Sequence, residues 1–274
     1  ADVESDAARR ASLWARQARV QSERMDDAET AFGTLLCAFQ LRFADVYGAE
    51  LARLAERCGR RADLMEAYGR GVAILGDVEA GLALRRRMGD WCAKADDLSG
   101  AQAHYQAVLN VVPRDEVSFA AMESILSRKA DWTGLVNLLE EAISQNVYAD
   151  EYRPLLVRIA QIRQTRCRDN EGAVAAWKRV LEADPRHPEA LEALGALFLF
   201  TEDWAGLAEV LERRRTAIPE EERDGARTVR LAELYLDRLA APMRAIPLLE
   251  EAVAAEAKVP WLRTLARAQS ETGD

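Results

Sequence analysis

The sequence is short of the residues on which most catalytic and metal sites depend. Its 274 residues include two histidines, His104 and His187, and neither has a Cys, Asp or Glu partner at a recurring helical ligand spacing. The phosphate-cradling patterns GxxxxGKS and GxxxxGKT are absent, and so is the nucleophile pattern GxSxG. The acidic pairs Asp26-Asp27 and Asp96-Asp97 lack a third acidic residue at metal-binding spacing, so we interpret them as turns between helices. We therefore predict no enzymatic activity, no metal and no cofactor.

Cysteine and long apolar runs are scarce as well, and acidic residues outnumber basic ones. The four cysteines include no CxxC pair, which predicts free structural thiols and favours a reducing, cytoplasmic compartment. The strongest apolar run covers residues 35–39, far short of the roughly 20 residues that span a bilayer. A net charge of −9 argues against general binding to nucleic acid or to an anionic membrane.

What the sequence does have is a long internal repeat. Trp132 and Trp204 each follow an Asp and precede a Gly by two residues. They lie 204 − 132 = 72 residues apart, and we call this interval the long repeat. Aligning 98–141 with 170–213 at that offset gives 14 identities in 44 positions. Such a period is typical of stacked helical arrays. We expect both tryptophans and Trp177 to be largely buried packing residues, and the two preceding aspartates, Asp131 and Asp203, to be helix N-caps.

A second, weaker repeat lies inside the long repeat, and its best example contains Leu194-Gly195, Phe198 and Pro219. These residues resemble the pattern of the tetratricopeptide repeat, a helix–turn–helix of about 34 residues, whereas Arg214 stands where that family has a small residue. The resemblance implies an all-α, right-handed superhelical solenoid with about seven hairpins and a final lone helix. In this sequence, successive hairpins are separated by alternating steps of about 34 residues and about 38 residues. We predict one array over 1–274, with paired units at 9–80, 81–152, 153–224 and, incomplete, 225–274.

The two ends of the sequence suggest a piece of a longer array. The chain begins without Met, and the offset of the long repeat places its last residue between the two helices of a hairpin. Paired units that carry Asp-Trp and Asp-Pro are similar to those of large bacterial scaffold proteins. We expect the apolar residues Trp261, Leu262 and Leu265 of the last helix to contact another copy of the chain.

The resemblance also selects residues that would line the concave groove. In this family, fixed positions of the first helix of each hairpin face that groove, and here they are mostly basic or apolar. The basic positions are Arg86, Lys94, Arg128, Arg158, Arg166, Arg227, Arg230 and Arg238. The apolar ones are Leu155, Ile162, Leu199 and Phe200, and the acidic ones are Asp90, Glu189, Glu192 and Asp237. The alternative is a chance scatter of arginine in an arginine-rich chain.

These features predict a protein-interaction scaffold that holds a peptide or a partner subunit in a basic, partly apolar groove. An acidic, partly hydrophobic peptide would suit such a groove. The asparagines with which one subclass of the family grips a terminal carboxylate are absent from these positions. Two alternatives stay open: a structural element that self-assembles, and a regulatory domain of a larger protein whose catalytic part lies outside this sequence.

Overall fold

The computed structural model describes residues 2–43, 45–145, 152–219 and 223–272, and helices make up 83% of it. No β-strand occurs within these ranges. The chain divides into two compact units, a first unit of residues 1–138 and a second unit of residues 139–274. Among the described helices, none combines the length and the apolar character needed to cross a bilayer.

Eight helices begin in the first unit, and the last of them continues into the second. They are α1 (Asp2–Arg24), α2 (Ala28–Arg42), α3 (Asp45–Cys58), α4 (Arg61–Leu75), α5 (Glu79–Lys94), α6 (Leu98–Leu109), α7 (Glu116–Arg128) and α8 (Trp132–Ser144). Seven more follow in the second unit, and the first of these ends in a π-helical turn at Arg163–Cys167. They are α9 (Tyr152–Ile162), α10 (Asn170–Ala183), α11 (Pro188–Phe200), α12 (Trp204–Thr216), α13 (Gly225–Asp237), α14 (Pro242–Ala255) and α15 (Val259–Thr272).

Consecutive helices form hairpins that stack on one another inside each unit. Within the first unit α1 packs on α2 and α5 on α6, and within the second α9 packs on α10 and α13 on α14. Short turns join these helices, so each pair is an antiparallel hairpin. Helices that are two apart along the chain also touch, since α3 contacts α5 and α13 contacts α15. Successive hairpins are therefore in contact. The predicted fold of seven hairpins and a final lone helix, α15, is confirmed over the described residues.

The turns inside the hairpins share a left-handed backbone residue, and their spacing reproduces the repeat. From α5 to α14, each of these turns contains one residue of positive φ. Successive residues of this kind lie alternately 34 and 38 residues apart. They are Asp96, Ala130, Arg168, Glu202 and Ala240. The alternation of two step lengths predicted from the sequence is therefore a property of the turns themselves.

An aspartate follows most of these left-handed residues and caps the next helix. The Oδ1 atoms of Asp131 and Asp203 accept hydrogen bonds from the backbone N–H groups of Gly134 at 2.9 Å and Gly206 at 3.0 Å. This satisfies one of the donors left unpaired at a helix start. A β-carbon on Gly134 would lie 2.4 Å from the Asp131 carboxylate, which explains glycine three residues after the cap. The predicted N-caps are confirmed, and Asp96 with Asp97 forms the same kind of turn.

The tryptophans do not all lie in the core, which corrects the sequence prediction for two of them. Trp177 of α10 is 1% exposed, and its indole N–H donates to Gln164 at 3.1 Å. Trp132 and Trp204 are only partly buried. Each is the first residue of its helix, directly after the capping aspartate, and that position lies at the edge of a hairpin. The guanidinium of Arg238 lies 4.6 Å from the centre of the Trp204 ring.

Candidate functional site

The apolar residues predicted for the groove divide between core and surface. Leu155 is 6% exposed and Ile162 is 9% exposed, so neither is available to a partner. They share the buried face of α9 with Ile159, because positions i, i+4 and i+7 fall on one side of a helix. Leu199 and Phe200, at the end of α11, are exposed at 58% and 75%. Ile162 therefore presents little surface to a partner, and the predicted groove contacts stay a prediction.

Arg86 also has a structural role instead of a free place on the surface. Its side chain is 19% exposed and forms ion pairs with Glu79 of α5 and, at 3.3 Å, with Asp115. Asp115 caps α7 by accepting from the backbone N–H of Ser118 at 2.8 Å. The guanidinium therefore joins α5 to the start of α7 and is occupied by carboxylates of its own chain. The role of Arg86 in the groove stays a prediction, and a partner would have to compete with these two carboxylates for its guanidinium.

Several predicted basic residues tie one hairpin to the preceding one. Lys94, Arg128 and Arg238 each lie two residues before the left-handed residue of their turn. Arg128 reaches back to Asp96, the left-handed residue of the preceding hairpin, with a distance of 2.8 Å between Nη2 and Oδ1. Lys94 Nζ lies 3.9 Å from Glu56, and Arg238 stacks on Trp204 as described above. Inter-hairpin contacts therefore account for these charges in part.

Besides Arg238, four predicted arginines are exposed in the second unit. Arg158 of α9 and Arg230 of α13 occupy equivalent positions one long repeat apart, and both are exposed. Arg158 lies three residues after the buried Leu155, and Arg230 lies three residues after the exposed Arg227. Arg166 is exposed in the π-helical turn that follows α9. Of these four, Arg227 and Arg230 lie together, because both line a single pocket.

That pocket has a volume of about 300 Å³ and lies between α12 and α13. Five of its lining residues are arginines, two from α12, one from the segment before α13 and two from α13. They are Arg214, Arg215, Arg223, Arg227 and Arg230. The remaining lining residues are Leu211, Ile218, Asp224, Thr228 and Leu231. We call this site the arginine pocket.

Two carboxylates hold some of these guanidinium groups. Glu251 of α14 lies 2.5 Å from Nη1 of Arg215 and 3.4 Å from Nη1 of Arg223. Asp224 lies 3.5 Å from Nε of Arg227. With Arg214 and Arg230 added, the arginine pocket has five positive charges against two negative ones among the residues that the structure describes. The glutamates at 220–222 lie outside those residues.

A pocket of similar size in the first unit has a different charge balance. It has a volume of about 260 Å³ and lies between α3 and α5. It is lined by Ala49, Ala52, Arg53, Glu56, Arg87, Asp90, Trp91 and Lys94. Here three basic residues face two acidic ones, and we call this site the mixed pocket.

Solved structures similar to this chain include tetratricopeptide repeat proteins. A tetratricopeptide repeat protein of Parabacteroides merdae has 12% sequence identity over 95% of this chain and 99% of its own, with a TM-score of 0.40. The TPR2AB domain of yeast Sti1, in its pHSP90 complex, has 13% identity over 96% and 98%, with a TM-score of 0.36. PilF of Pseudomonas aeruginosa has 11% identity over 98% and 99%, with a TM-score of 0.34. No protein-family model matches the sequence, and no curated protein does.

The fold class rests on the hairpins of the chain itself. The shorter step between adjacent turns, as from Asp96 to Ala130, matches the length of a tetratricopeptide repeat, about 34 residues. The fold is tetratricopeptide-like. Within this array, the aromatic residues of the second helices, Tyr105 and Trp177, are buried at equivalent places one long repeat apart.

Three arginines of the arginine pocket were missed by sequence reasoning. Arg214 and Arg215 lie on the second helix of a hairpin, and Arg223 lies in a connection, whereas the tetratricopeptide pattern places groove residues on first helices. One signal was present in the sequence: Arg214 occupies a position where the pattern has a small residue. A large charged side chain at such a position has to reach the surface, and here it lines the pocket.

The two histidines have structural environments. His187 caps α11, because its Nδ1 accepts from the backbone N–H of Ala190 at 3.3 Å. Burial and the nearby Arg85 lower the pKa of His104. In the described ranges, no group of three or more His, Cys, Asp or Glu residues is arranged to hold a metal ion.

Proposed function

We propose that this chain is a non-enzymatic protein-interaction scaffold whose second unit binds an acidic, partly hydrophobic peptide. The observation that carries the proposal is the surplus of arginine around one pocket of an otherwise acidic chain. Charge complementarity of this kind steers encounter and selects partners by the sign of their charge. A bacterial origin and a cytoplasmic location stay predictions from the sequence.

The lining of the arginine pocket also suits the apolar part of such a peptide. Leu211, Ile218 and Leu231 line it beside the guanidinium groups. Elsewhere on the second unit Leu199 and Phe200 present apolar surface to solvent. Burial of apolar side chains supplies affinity of roughly 25 cal/mol per Å², while the arginines supply orientation and specificity.

Binding of a labelled peptide of alternating glutamate and leucine tests the proposal, with fluorescence anisotropy as the readout. We expect charge reversal of Arg214 and Arg230 together, R214E and R230E, to weaken binding by about 100-fold, or roughly 2.7 kcal/mol. The loss shrinks as salt is raised, because screening weakens exposed charge pairs. Arg186 provides a matched control, since it is exposed on the connection between α10 and α11 and does not line the pocket. A chain that binds the peptide equally well with and without R214E and R230E has no such site.

A second candidate is self-association through α15. Val259 and Leu262 are exposed at 61% and 43%, which leaves an apolar strip on this helix. Trp261 is partly buried in its own chain, because its ring packs against α13, where a β-carbon on Gly225 would lie 2.9 Å from the ring. We therefore place the self-contact at Leu262 and Val259 in preference to Trp261. Sedimentation that shows a monomer at high concentration contradicts this candidate and leaves the peptide site unaffected.

A further inference from the structure

Resting on the proposed peptide-binding function, we infer that the arginine pocket receives the phosphate group of a phosphorylated side chain in the bound peptide. The pocket brings five guanidinium groups around a cavity large enough for one side chain. Arginine presents its N–H donors in a planar fork that matches the oxygens of phosphate. Clusters of arginine are one of the recurrent ways in which proteins recognise phosphorylated peptides.

Two of the arginines are available to the ligand and line the pocket from two different helices. Arg214 belongs to α12 and Arg230 to α13, and both side chains are exposed. Neither forms an ion pair with any residue in the described part of the chain. Each guanidinium has five N–H donors. A phosphate between the two helices can therefore accept from both arginines at once, which a single helix face would not permit.

The other arginines are held in place by carboxylates behind them. Glu251 contacts Arg215 at 2.5 Å and Arg223 at 3.4 Å, and so orients two guanidinium groups of the pocket lining. The Nε–H of Arg215 is buried and has no acceptor within the described residues. A buried donor without an acceptor is unfavourable. Arg215 is thus oriented by one carboxylate and keeps donor capacity for another anion.

The helix start beside the pocket does not bind the anion, so recognition falls to the side chains. The Asp224 carboxylate already accepts from the backbone N–H of Ala226 at 2.9 Å. The Asp224 carbonyl accepts from the backbone N–H groups of Arg227 at 3.0 Å and Thr228 at 3.1 Å. These three N–H groups of α13 are therefore occupied by Asp224, and the side chains of Arg214 and Arg230 provide the donors for an anion.

The charge balance favours phosphate over a single carboxylate. Arg214 and Arg230 leave two guanidinium charges of the lining without a carboxylate partner among the described residues. A phosphate monoester brings about −1.5 to −2 charges at neutral pH and three acceptor oxygens, whereas a glutamate brings one charge and two oxygens. A phosphate thus offsets more of the mutual repulsion among the arginines within the same volume.

Three matched peptides test the inference on the whole chain. Each has leucine and glutamate around one central position, which is serine, glutamate or phosphoserine. We expect the phosphoserine peptide to bind about tenfold more tightly than the glutamate peptide at neutral pH, as one or two additional charge-assisted hydrogen bonds produce. Below pH about 6 the phosphate loses its second charge, so this preference falls. Histidine titrates in the same range, and none lines the arginine pocket among the described residues.

The variant Arg214→Gln with Arg230→Gln is expected to abolish the preference for phosphoserine, while Arg186→Gln leaves it unchanged. Thermal unfolding of both variants checks that the fold is retained. Equal affinity for the phosphoserine and glutamate peptides overturns the phosphate inference and leaves the acidic-peptide function standing. Failure of all three peptides to bind overturns both.

A second arm separates a phosphopeptide from free phosphate as the source of the anion. Phenyl phosphate and inorganic phosphate are titrated while NMR follows the Nε–H resonances of Arg214 and Arg230. Shifts with these small anions, together with tighter binding of the phosphoserine peptide, support the inference. Shifts with the small anions alone, without any peptide preference, replace the phosphopeptide with a small phosphate-bearing ligand. The absence of shifts with either anion overturns the phosphate site.

Discussion

The mixed pocket of the first unit and the arginine pocket of the second are similar in size and differ in how their charges are used. In the mixed pocket, Asp90 accepts a hydrogen bond from Tyr105 at 2.6 Å, and Lys94 lies 3.9 Å from Glu56. In the arginine pocket, among the described residues, Glu251 pairs with Arg215 and Arg223 and Asp224 pairs with Arg227, whereas Arg214 and Arg230 contact neither carboxylate. Both pockets lie between helices of neighbouring hairpins. Recognition of an anion therefore depends on which basic side chains the fold leaves over after its own ion pairs are made.

The same distinction applies to the residues predicted from the sequence. Arg86, Arg128 and Arg230 belong to one set when only residue type and repeat position are considered. In the structure, Arg86 and Arg128 are paired with aspartates of neighbouring elements, and Arg230 lines a pocket. Charge counted along a repeat thus overstates the charge that a partner meets.

The largest effect that we expect is a difference in peptide binding between the two pockets. Charge reversal of Arg214 and Arg230 in the second unit weakens binding of the glutamate–leucine peptide by about 100-fold. The corresponding reversal of Arg53 and Lys94 in the first unit changes it by less than about threefold. Anisotropy titrations at one salt concentration compare the two variants. Equal losses would mean that the net charge of the chain, not the arginine pocket, determines affinity.

A smaller effect is expected on the free energy of unfolding, and here a substitution in the first unit costs more than one in the second. Arg86→Met leaves Asp115, whose side chain is 12% exposed, without its guanidinium partner. We expect a loss of about 2 kcal/mol in the free energy of unfolding, below the roughly 3–5 kcal/mol of a fully buried pair. Arg230→Met removes an exposed charge and costs at most about 0.5 kcal/mol. Denaturant unfolding of both variants measures the difference, and a larger loss for Arg230→Met contradicts the assignment of roles.

The smallest effect concerns a tyrosine in each unit that donates to a carboxylate. Burial and the hydrogen bond to Glu212 raise the pKa of Tyr235 to about 12, and burial and the hydrogen bond to Asp90 raise the pKa of Tyr105. Because an unfolded tyrosine has a pKa near 10, the folded chain holds these protons more tightly. Stability is therefore lost as the pH rises from about 10 through about 12.

Phenylalanine variants separate the two tyrosines. Glu212 keeps a contact with Arg244 at 3.3 Å, so Tyr235→Phe is expected to cost about 0.5–1 kcal/mol. Tyr105→Phe removes the tyrosine donor of Asp90 and is expected to cost about 1–2 kcal/mol. Unfolding at neutral and alkaline pH checks both values. An alkaline loss of stability that persists unchanged in both variants would have another origin.

The fold was predictable because its determinants are local. The capping aspartates, the glycines three residues later and the step lengths lie within short stretches of sequence, and the structure follows them. Face assignment was less predictable. Ile162 was placed in the groove by analogy of position, although its spacing from Leu155 and Ile159 is that of the buried face of α9. The apolar spacing of the helix itself was the better guide.

The arginine pocket could not be predicted because it is not local. Arg214 and Arg230 lie on different helices, and the partner that holds Arg215 and Arg223 comes from a third, α14. A single sequence indicates which residues are charged, but the pairing of charges depends on distances between hairpins. The partly buried Trp204 has the same explanation, since its neighbour Arg238 lies in the next hairpin.

Because of the left-handed turns, the local structure of each hairpin depends on residues of that hairpin alone. Each capping hydrogen bond, such as the one from Gly206 to Asp203, is made between atoms of the same hairpin. The chemistry of such a turn is therefore preserved when a hairpin is copied, removed or moved along the gene. Side-chain identity at the left-handed residue is also loosely constrained, since Asp, Ala, Arg and Glu all occupy it. Growth of the array by duplication of paired hairpins then leaves each copy free to acquire its own surface charges, as the two pockets have.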